Sequence, residues 1–191
     1  MARVSQAQAR ENRQRVVQTA ARLFRERGIQ GVSVADLMAE AGLTHGGFYK
    51  QFASKEALVA EAVALAFEDL GADLHDRDQQ HPGDHEAARE AFVAGYLSAA
   101  HRDDPGNGCA TTGFGTDVAR EPPDSPAREP FAAGVAEFAA WLGPTEDEAL
   151  VTLATMVGAL LIARATAGTP LADRILAAAT SDLSGKGRVS R

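Results

Sequence analysis

The stretch that most constrains this chain runs from Ser33 to Leu58 and reads SVADLMAEAGLTHGGFYKQFASKEAL. Val34, Leu37, Met38 and Ala41 recur at helical spacing behind Ser33, a residue suited to cap a helix. The pattern predicts a short helix that stops at Gly42. Leu43 fills the turn, Thr44 can cap a second short helix, and Phe48 and Phe52 stand four apart on the inner face of that helix. Its outer face carries His45, Tyr49, Lys50 and Gln51. A helix, a tight turn with Gly and a second helix with polar and cationic groups outward form a helix-turn-helix, whose second helix fits the DNA major groove. An ordinary helical hairpin shares this outline, but two features fit it poorly. Gly46 and Gly47 occupy the first turn of the second helix, where each costs about 1 kcal/mol relative to Ala. Such a cost suggests close backbone approach to a partner. Lys55 opens the next helix behind the Ser54 cap, where its charge opposes the helix dipole, and an anionic partner would explain it.

Charge is divided along the chain in the same sense. The net charge is −7, but residues 1–55 hold nine Lys and Arg against four Asp and Glu, while residues 56–191 hold ten against twenty-two. A basic N-terminal quarter at +5 and an acidic remainder at −12 suit local phosphate contact by the first part only. This sets an expected boundary, with a DNA-binding domain over 1–55 and a second domain over 56–191. One cysteine excludes an intrachain disulfide and suits a reducing cytoplasm. The N-terminus lacks the apolar run of a signal peptide, and Arg164 interrupts the longest apolar stretch, so no membrane span is expected.

Residues 1–9 are polar with little to bury, and the basic tail SGKGRVSR is equally short of core residues. Between them, no strand alternation and no internal repeat appear, and apolar spacing predicts about nine helices in an all-α fold. The first covers Arg10 to Arg27 and ends at Gly28; the helix after Ser54 continues towards Leu74. Residues 75–86, HDRDQQHPGDHE, read as a loop; their three histidines match no closed zinc spacing, so neither a metal nor a cofactor is expected. Further helices follow over 85–100, 109–120, 127–142, 145–167 and 171–183, punctuated by Pro and Gly.

The stretch Gly42-Leu43-Thr44-His45-Gly46-Gly47-Phe48-Tyr49-Lys50-Gln51-Phe52-Ala53-Ser54-Lys55-Glu56-Ala57-Leu58 resembles the signature of tetracycline-repressor-like (TetR-type) regulators, and the likeness covers about residues 10 to 58. The resemblance implies that positions matching Tyr49, Lys50 and Lys55 hold phosphates, while those matching Thr44, His45 and Gly47 face or approach bases. Ser33 and Gly46 complete the expected DNA-binding set. The chain departs from the commoner pattern at Gly47 and at Gln51, so an operator sequence does not transfer with the resemblance. A second, weaker likeness spans Tyr96-Leu97-Ser98, His101-Arg102-Asp103 and Gly108-Cys109, and is similar to a branch of electrophile-responsive repressors of N-ethylmaleimide reductase; here Ala110-Thr111 follow the cysteine where that branch tends to have Pro-Leu.

Two features bear on partners. In the long helix after Thr145, Leu150, Leu153, Val157, Leu160 and Leu161 form one apolar stripe, and Val151, Ala154, Gly158, Ile162 and Ala165 a second of mostly small residues. Two faces exceed what one core needs, so this helix, with Ile175, Leu176 and Ala179 of the last, can pair with a second copy across a two-fold axis. A helix buried within a monomer is the alternative. A short reading helix offers few base contacts, which also favours a dimer on a palindromic site. The aromatic central segment, Phe92, Tyr96, Phe114, Phe138 and Trp141 with Cys109, can line an effector cavity or simply form core. The expected function is a dimeric, ligand- or redox-responsive regulator of transcription, most often a repressor in the family it resembles. A DNA-bound architectural protein without effector and a Cys109-dependent enzyme with His101 as base are the competing classes.

Overall fold

The computed structural model describes residues 6–184; the expectations for residues 1–5 and for the tail at 185–191 lie outside the described residues. Helix α1, Gln6–Arg27, begins four residues ahead of the expected Arg10 and buries Val16, Val17, Ala20, Ala21, Leu23 and Phe24 along one stripe. It ends at Gly28, whose φ of +74° is the left-handed turn that only Gly adopts freely. Helix α2, Val34–Glu40, is capped by the Ser33 hydroxyl, which accepts from the Asp36 N–H at 3.1 Å. Gly42, at φ +70°, then turns the chain.

The second helix of the pair is not an α-helix. His45–Lys50 form a 3-10 helix in which Gly47 N–H donates to Thr44 O at 2.9 Å and Gln51 N–H donates to Phe48 O at 2.8 Å. Two glycines within six residues weaken α-helix, and the tighter i→i+3 pattern serves short pieces. Thr44 stands at the N-cap, but its side chain makes no capping bond. Phe48 and Phe52 stack at 5.4 Å between ring centroids, and both are buried, which anchors the segment by its inner face.

Helix α3, Lys55–Gln80, is capped by Ser54 and runs six residues past the expected Leu74, so the loop read at 75–86 shrinks to four residues. Its polar end is held by pairs four apart, Arg77 Nε donating to Asp73 at 3.0 Å and Gln79 meeting the His75 ring at 2.8 Å. Beyond it lie α4, His85–Tyr96, and α5, Ala99–Asp103. The single helix expected over 85–100 is therefore broken at Leu97-Ser98, where Ser98 accepts from the His101 N–H and restarts the helix. This break raises the count from nine to ten helices among the described residues, with no strand among them.

Helices α6, Ala110–Arg120, α7, Arg128–Leu142, α8, Glu146–Ala165, and α9, Pro170–Leu183, complete the chain close to their expected bounds. The Thr145 hydroxyl caps α8, accepting from the Glu148 N–H at 3.4 Å and donating to the Glu148 carboxylate at 3.0 Å. The core has two buried clusters. One joins α1, α2, the 3-10 helix and the first half of α3 to Ala110, Phe114, Val118 and Ala127; the other joins the end of α3 to α4, α7, α8 and α9. The first cluster crosses residue 55, because α3 supplies Leu58, Val59, Ala62, Val63, Ala66 and Phe67 to it. Helices α3 and α7 approach closely at Gly134, where a Cβ would lie 2.1 Å from the Phe67 ring. Helix α8 is long and apolar enough, by mean hydropathy, to cross a membrane, even though Arg164 interrupts the apolar run. It buries Ala149, Leu153, Met156, Ala159, Leu160 and Ala163 within this fold.

Candidate functional site

The 3-10 helix is held from behind and open in front. Behind it, Phe48 and Phe52 are buried, and the Arg13 guanidinium lies 4.6 Å over the Phe52 ring while pairing with Glu61 at 2.5 Å. In front, Thr44, His45, Gly46, Tyr49 and Lys50 are exposed, Tyr49 to 66%. None of the Thr44, His45, Tyr49 or Lys50 side chains has a hydrogen-bond or ion-pair partner among the described residues. No Cβ added at Gly46 would meet anything within 4 Å, and one at Gly47 would sit 3.6 Å from Met38 Cε, an ordinary contact. Neither glycine has a positive φ. Neither packing nor backbone angle within the chain thus requires glycine at these two positions.

Ser33 and Lys55 are placed differently. The Ser33 hydroxyl is committed to Asp36, accepting from its N–H and donating to its carboxylate at 2.5 Å. Lys55 turns inward, its Nζ donating to Ile29 O at 2.6 Å with the Phe24 ring 5.8 Å away. Burial lowers its pKa from the ordinary value, with Glu56, Asp117 and Glu121 opposing. The anionic partner expected at Lys55 therefore has an internal substitute: the ammonium ties the turn after α1 to the start of α3. Asp117 of α6 holds the same turn, accepting the Ile29 N–H at 2.7 Å.

The expected cavity residues divide three ways. Phe92, Tyr96 and Cys109 converge on a cavity of 440 Å³ between α1, α3, α4 and the start of α6. Phe138 and Trp141 line a separate cavity of 240 Å³ between α3 and α7. Phe114 is fully buried in the first core cluster. Sequence reading missed the charged wall of the larger cavity, Arg25, Asp69, Asp73 and Arg77, since helical spacing alone does not say which cations turn inward. Arg25 Nε donates to Gly106 O at 2.8 Å, and burial lowers its pKa.

Cys109 is the N-cap residue of α6, and its side chain is buried and makes no capping bond. The Arg25 and Arg164 guanidiniums stand within electrostatic reach of it. Arg102 does not assist; it pairs with Asp103 and Asp173, both at 2.6 Å. His101 cannot serve as base for this thiol. Its Nδ1 lies 2.7 Å from Tyr96 O, its Nε2 accepts the Cys109 N–H at 3.1 Å, and burial lowers its pKa, all of which describe a neutral ring with both nitrogens engaged. The buried Tyr96 hydroxyl meets Thr112 Oγ1 at 3.3 Å.

The second apolar stripe of α8 is uncovered. Val151 is 64% and Ile162 51% exposed, Ala154 and Ala165 are exposed, and Gly158 and Ile175 are half-buried. Leu150 and Leu161, which the sequence pattern groups with Leu153, Val157 and Leu160 in the first stripe, are exposed as well, because the helix turns its Met156 and Ala163 side to the core. Leu171 of α9 is exposed as well.

Comparison with known proteins follows this geometry. The family model of bacterial regulatory proteins, tetR family, matches residues 16–62. The transcriptional regulator AcrR of Shigella flexneri is 32% identical over 84 residues, which is 44% of this chain and 39% of AcrR. The transcriptional repressor DhaR of Mycobacterium sp. (strain GP1) is 40% identical over 58 residues, 30% of this chain and 29% of DhaR. The chain thus aligns with well under half the length of these curated relatives. Solved structures match throughout: a TetR transcriptional regulator from Chloroflexus aurantiacus at TM-score 0.76 and 26% identity, covering 94% of this chain and 95% of that one. The reduced form of Escherichia coli NemR matches in fold, with TM-score 0.77 and 21% identity over 92% of this chain and 96% of NemR. Residues 16–62, the helix-turn-helix segment, thus match the tetR family of bacterial regulatory proteins, and the helical architecture behind them is similar to that of a solved TetR transcriptional regulator.

Proposed function

We propose that the protein is a homodimeric regulator, acting as a repressor, that binds a palindromic operator through two 3-10 reading helices and is released when an effector or oxidant reaches the cavity beside Cys109. The observation that carries this reading is the outward set Thr44, His45, Tyr49 and Lys50, exposed and without hydrogen-bond or ion-pair partners among the described residues, on a segment that is otherwise anchored by Phe48 and Phe52. Tyr49 and Lys50 reach phosphates, Thr44 and His45 reach base edges, and Gly46 and Gly47 let the backbone come close to the duplex. Ser33 shapes the entry of α2 and Lys55 the turn behind it, so both act on DNA through position. Residues 1–55 form the DNA-binding domain in this reading, and 56–191 the effector and dimer domain, with α3 common to both cores.

Dimerisation is supported by the uncovered face of Val151, Ala154, Gly158, Ile162 and Ala165 with Ile175 of α9. A two-fold axis through it would place the reading helices about 34 to 36 Å apart, or a multiple of that, to meet successive major grooves. The cavity lined by Phe92, Tyr96 and Cys109 lies between α3 and α6, and both helices touch the turn that Lys55 and Asp117 hold, so occupancy can be felt at the reading head. Such a protein works in the cytoplasm, where its DNA is. The test is the stoichiometry of the DNA complex by sedimentation: two protomers per short palindromic duplex are expected, and a 1:1 complex of undiminished affinity would contradict the dimer.

A further inference from the structure

At the far end of α3 from the reading helix, three helices meet in a closed polar triangle. His85, the first residue of α4, has Nδ1 2.8 Å from Asp78 Oδ1 of α3 and Nε2 2.9 Å from the Trp141 carbonyl of α7. The Trp141 indole Nε1–H donates to the other Asp78 oxygen at 2.8 Å. The His85 and Trp141 rings meet edge to face at 4.9 Å. Both atoms that face the imidazole are acceptors: a carboxylate oxygen and a backbone carbonyl. A neutral imidazole has one N–H and would set a lone pair against one of them, whereas the imidazolium donates to both. Asp78, already accepting from the indole with its other oxygen, is satisfied as the carboxylate.

We propose that His85 is a proton-operated clasp that ties α3, α4 and α7 together as the imidazolium and releases this corner when it loses its proton. Asp78 and Trp141 also line the 240 Å³ cavity between α3 and α7, together with Phe67, Leu74 and Phe138, so two members of the clasp border that cavity. The charged and titratable groups around it are few. Asp78 and His75 come from α3, Glu86 from α4, and Glu137 of α7 lines the same cavity, while His81 is turned to the Arg77 carbonyl.

The titration follows from these contacts. The hydrogen bond to Asp78 raises the His85 pKa above its ordinary value, against burial, with the Trp141 carbonyl adding to the rise. The indole and His85 together lower that of Asp78. A raised folded-state His pKa gives stabilisation that is fully present below about 6.5 and is lost as pH rises through the folded value. The lowered Asp pKa gives stabilisation present above about 3.9 and lost only as pH falls through its folded value. The clasp is complete between the two and opens on the alkaline side. Each unit by which the His85 midpoint exceeds 6.5 corresponds to about a tenfold preference of the proton for the clasped form.

Trp141 is the one tryptophan of the chain, so its emission reports this corner directly. We expect the full-length protein to show a single rise in Trp141 fluorescence with pH, as the quenching imidazolium is lost, with its midpoint above 6.5. Protection of the indole N–H from exchange should fall across the same range. His85→Gln, at an exposed position, should abolish the transition, Asp78→Asn should lower its midpoint to the ordinary histidine range or below, and His75→Gln should leave it nearly unchanged. A midpoint at or below 6.5 in the native chain, or a transition that persists in the His85→Gln variant, would overturn the clasp.

Discussion

Gly158→Leu separates the dimer from the fold more sharply than any other single change. A Cβ at Gly158 would meet no atom within 4 Å outside its own helix backbone, so a side chain can start here without a clash in the protomer. Within one chain the substitution should be stabilising, because Gly in a helix interior costs about 0.8–1 kcal/mol relative to Ala, and Leu is among the better helix formers. Across a two-fold axis the same leucine meets its copy or its neighbours on the facing helix. Overpacking of this kind costs about 1–3 kcal/mol, and the symmetric interface incurs it twice, about 2–6 kcal/mol per dimer. At 1.4 kcal/mol per decade, the dimer dissociation constant should rise between about 30-fold and about 10⁴-fold. Sedimentation equilibrium over a concentration series measures that constant, and thermal unfolding at concentrations where both proteins are monomeric measures the protomer. An unchanged dimer, or a protomer destabilised by several degrees, would mean that the stripe does not face a second copy.

Other substitutions test the remaining contacts. Lys50→Ala should weaken binding to all DNA sequences nearly alike and make the slope of log affinity against log salt shallower by about 0.9; an unchanged slope removes Lys50 from the phosphate shell. Lys55→Met should leave that slope unaltered while lowering the unfolding temperature, since it deletes the 2.6 Å bond to Ile29 O; a slope change equal to that of Lys50→Ala would restore Lys55 as a phosphate ligand. Gly134→Ala should destabilise the fold by about 1–3 kcal/mol despite the better helix propensity of Ala, because the added methyl would lie 2.1 Å from the Phe67 ring; denaturant unfolding with an unchanged midpoint would refute that packing.

Several helix starts were readable in the sequence from the side chain that caps them. Ser33, Ser54, Asp84 and Thr145 each accept an N–H three residues ahead, and the glycines after α1 and α2 each take the left-handed turn expected of them. Reading failed where polar residues carry helix without an apolar stripe. The sequence HDRDQQ continues α3 through pairs four apart, which hydrophobic periodicity does not register. It failed again at Leu97-Ser98, where a serine read as one more helical residue instead caps a new helix. The outward face of the 3-10 helix was legible because Phe48 and Phe52 fix its phase. Lys55 was not, since an ammonium turned to a carbonyl 26 residues back leaves no local signal. The cavity was half legible: aromatic residues pointed to the region, but Arg25, Arg77 and His101 reach it from three helices far apart in sequence.

In the proposed function a pair of these chains reads DNA through the two 3-10 helices. Selection of bound sequences from a randomised duplex library, with the purified full chain at fixed salt, tests it most directly. An inverted repeat is expected, its half-sites centred about one helical turn apart or a multiple of it. Alanine at Thr44 or His45 should change the preferred base at matching positions of both halves, and alanine at Lys50 should change none. Enrichment of no sequence, of a single unrepeated site, or of the same repeat by the Thr44 and His45 variants would contradict it.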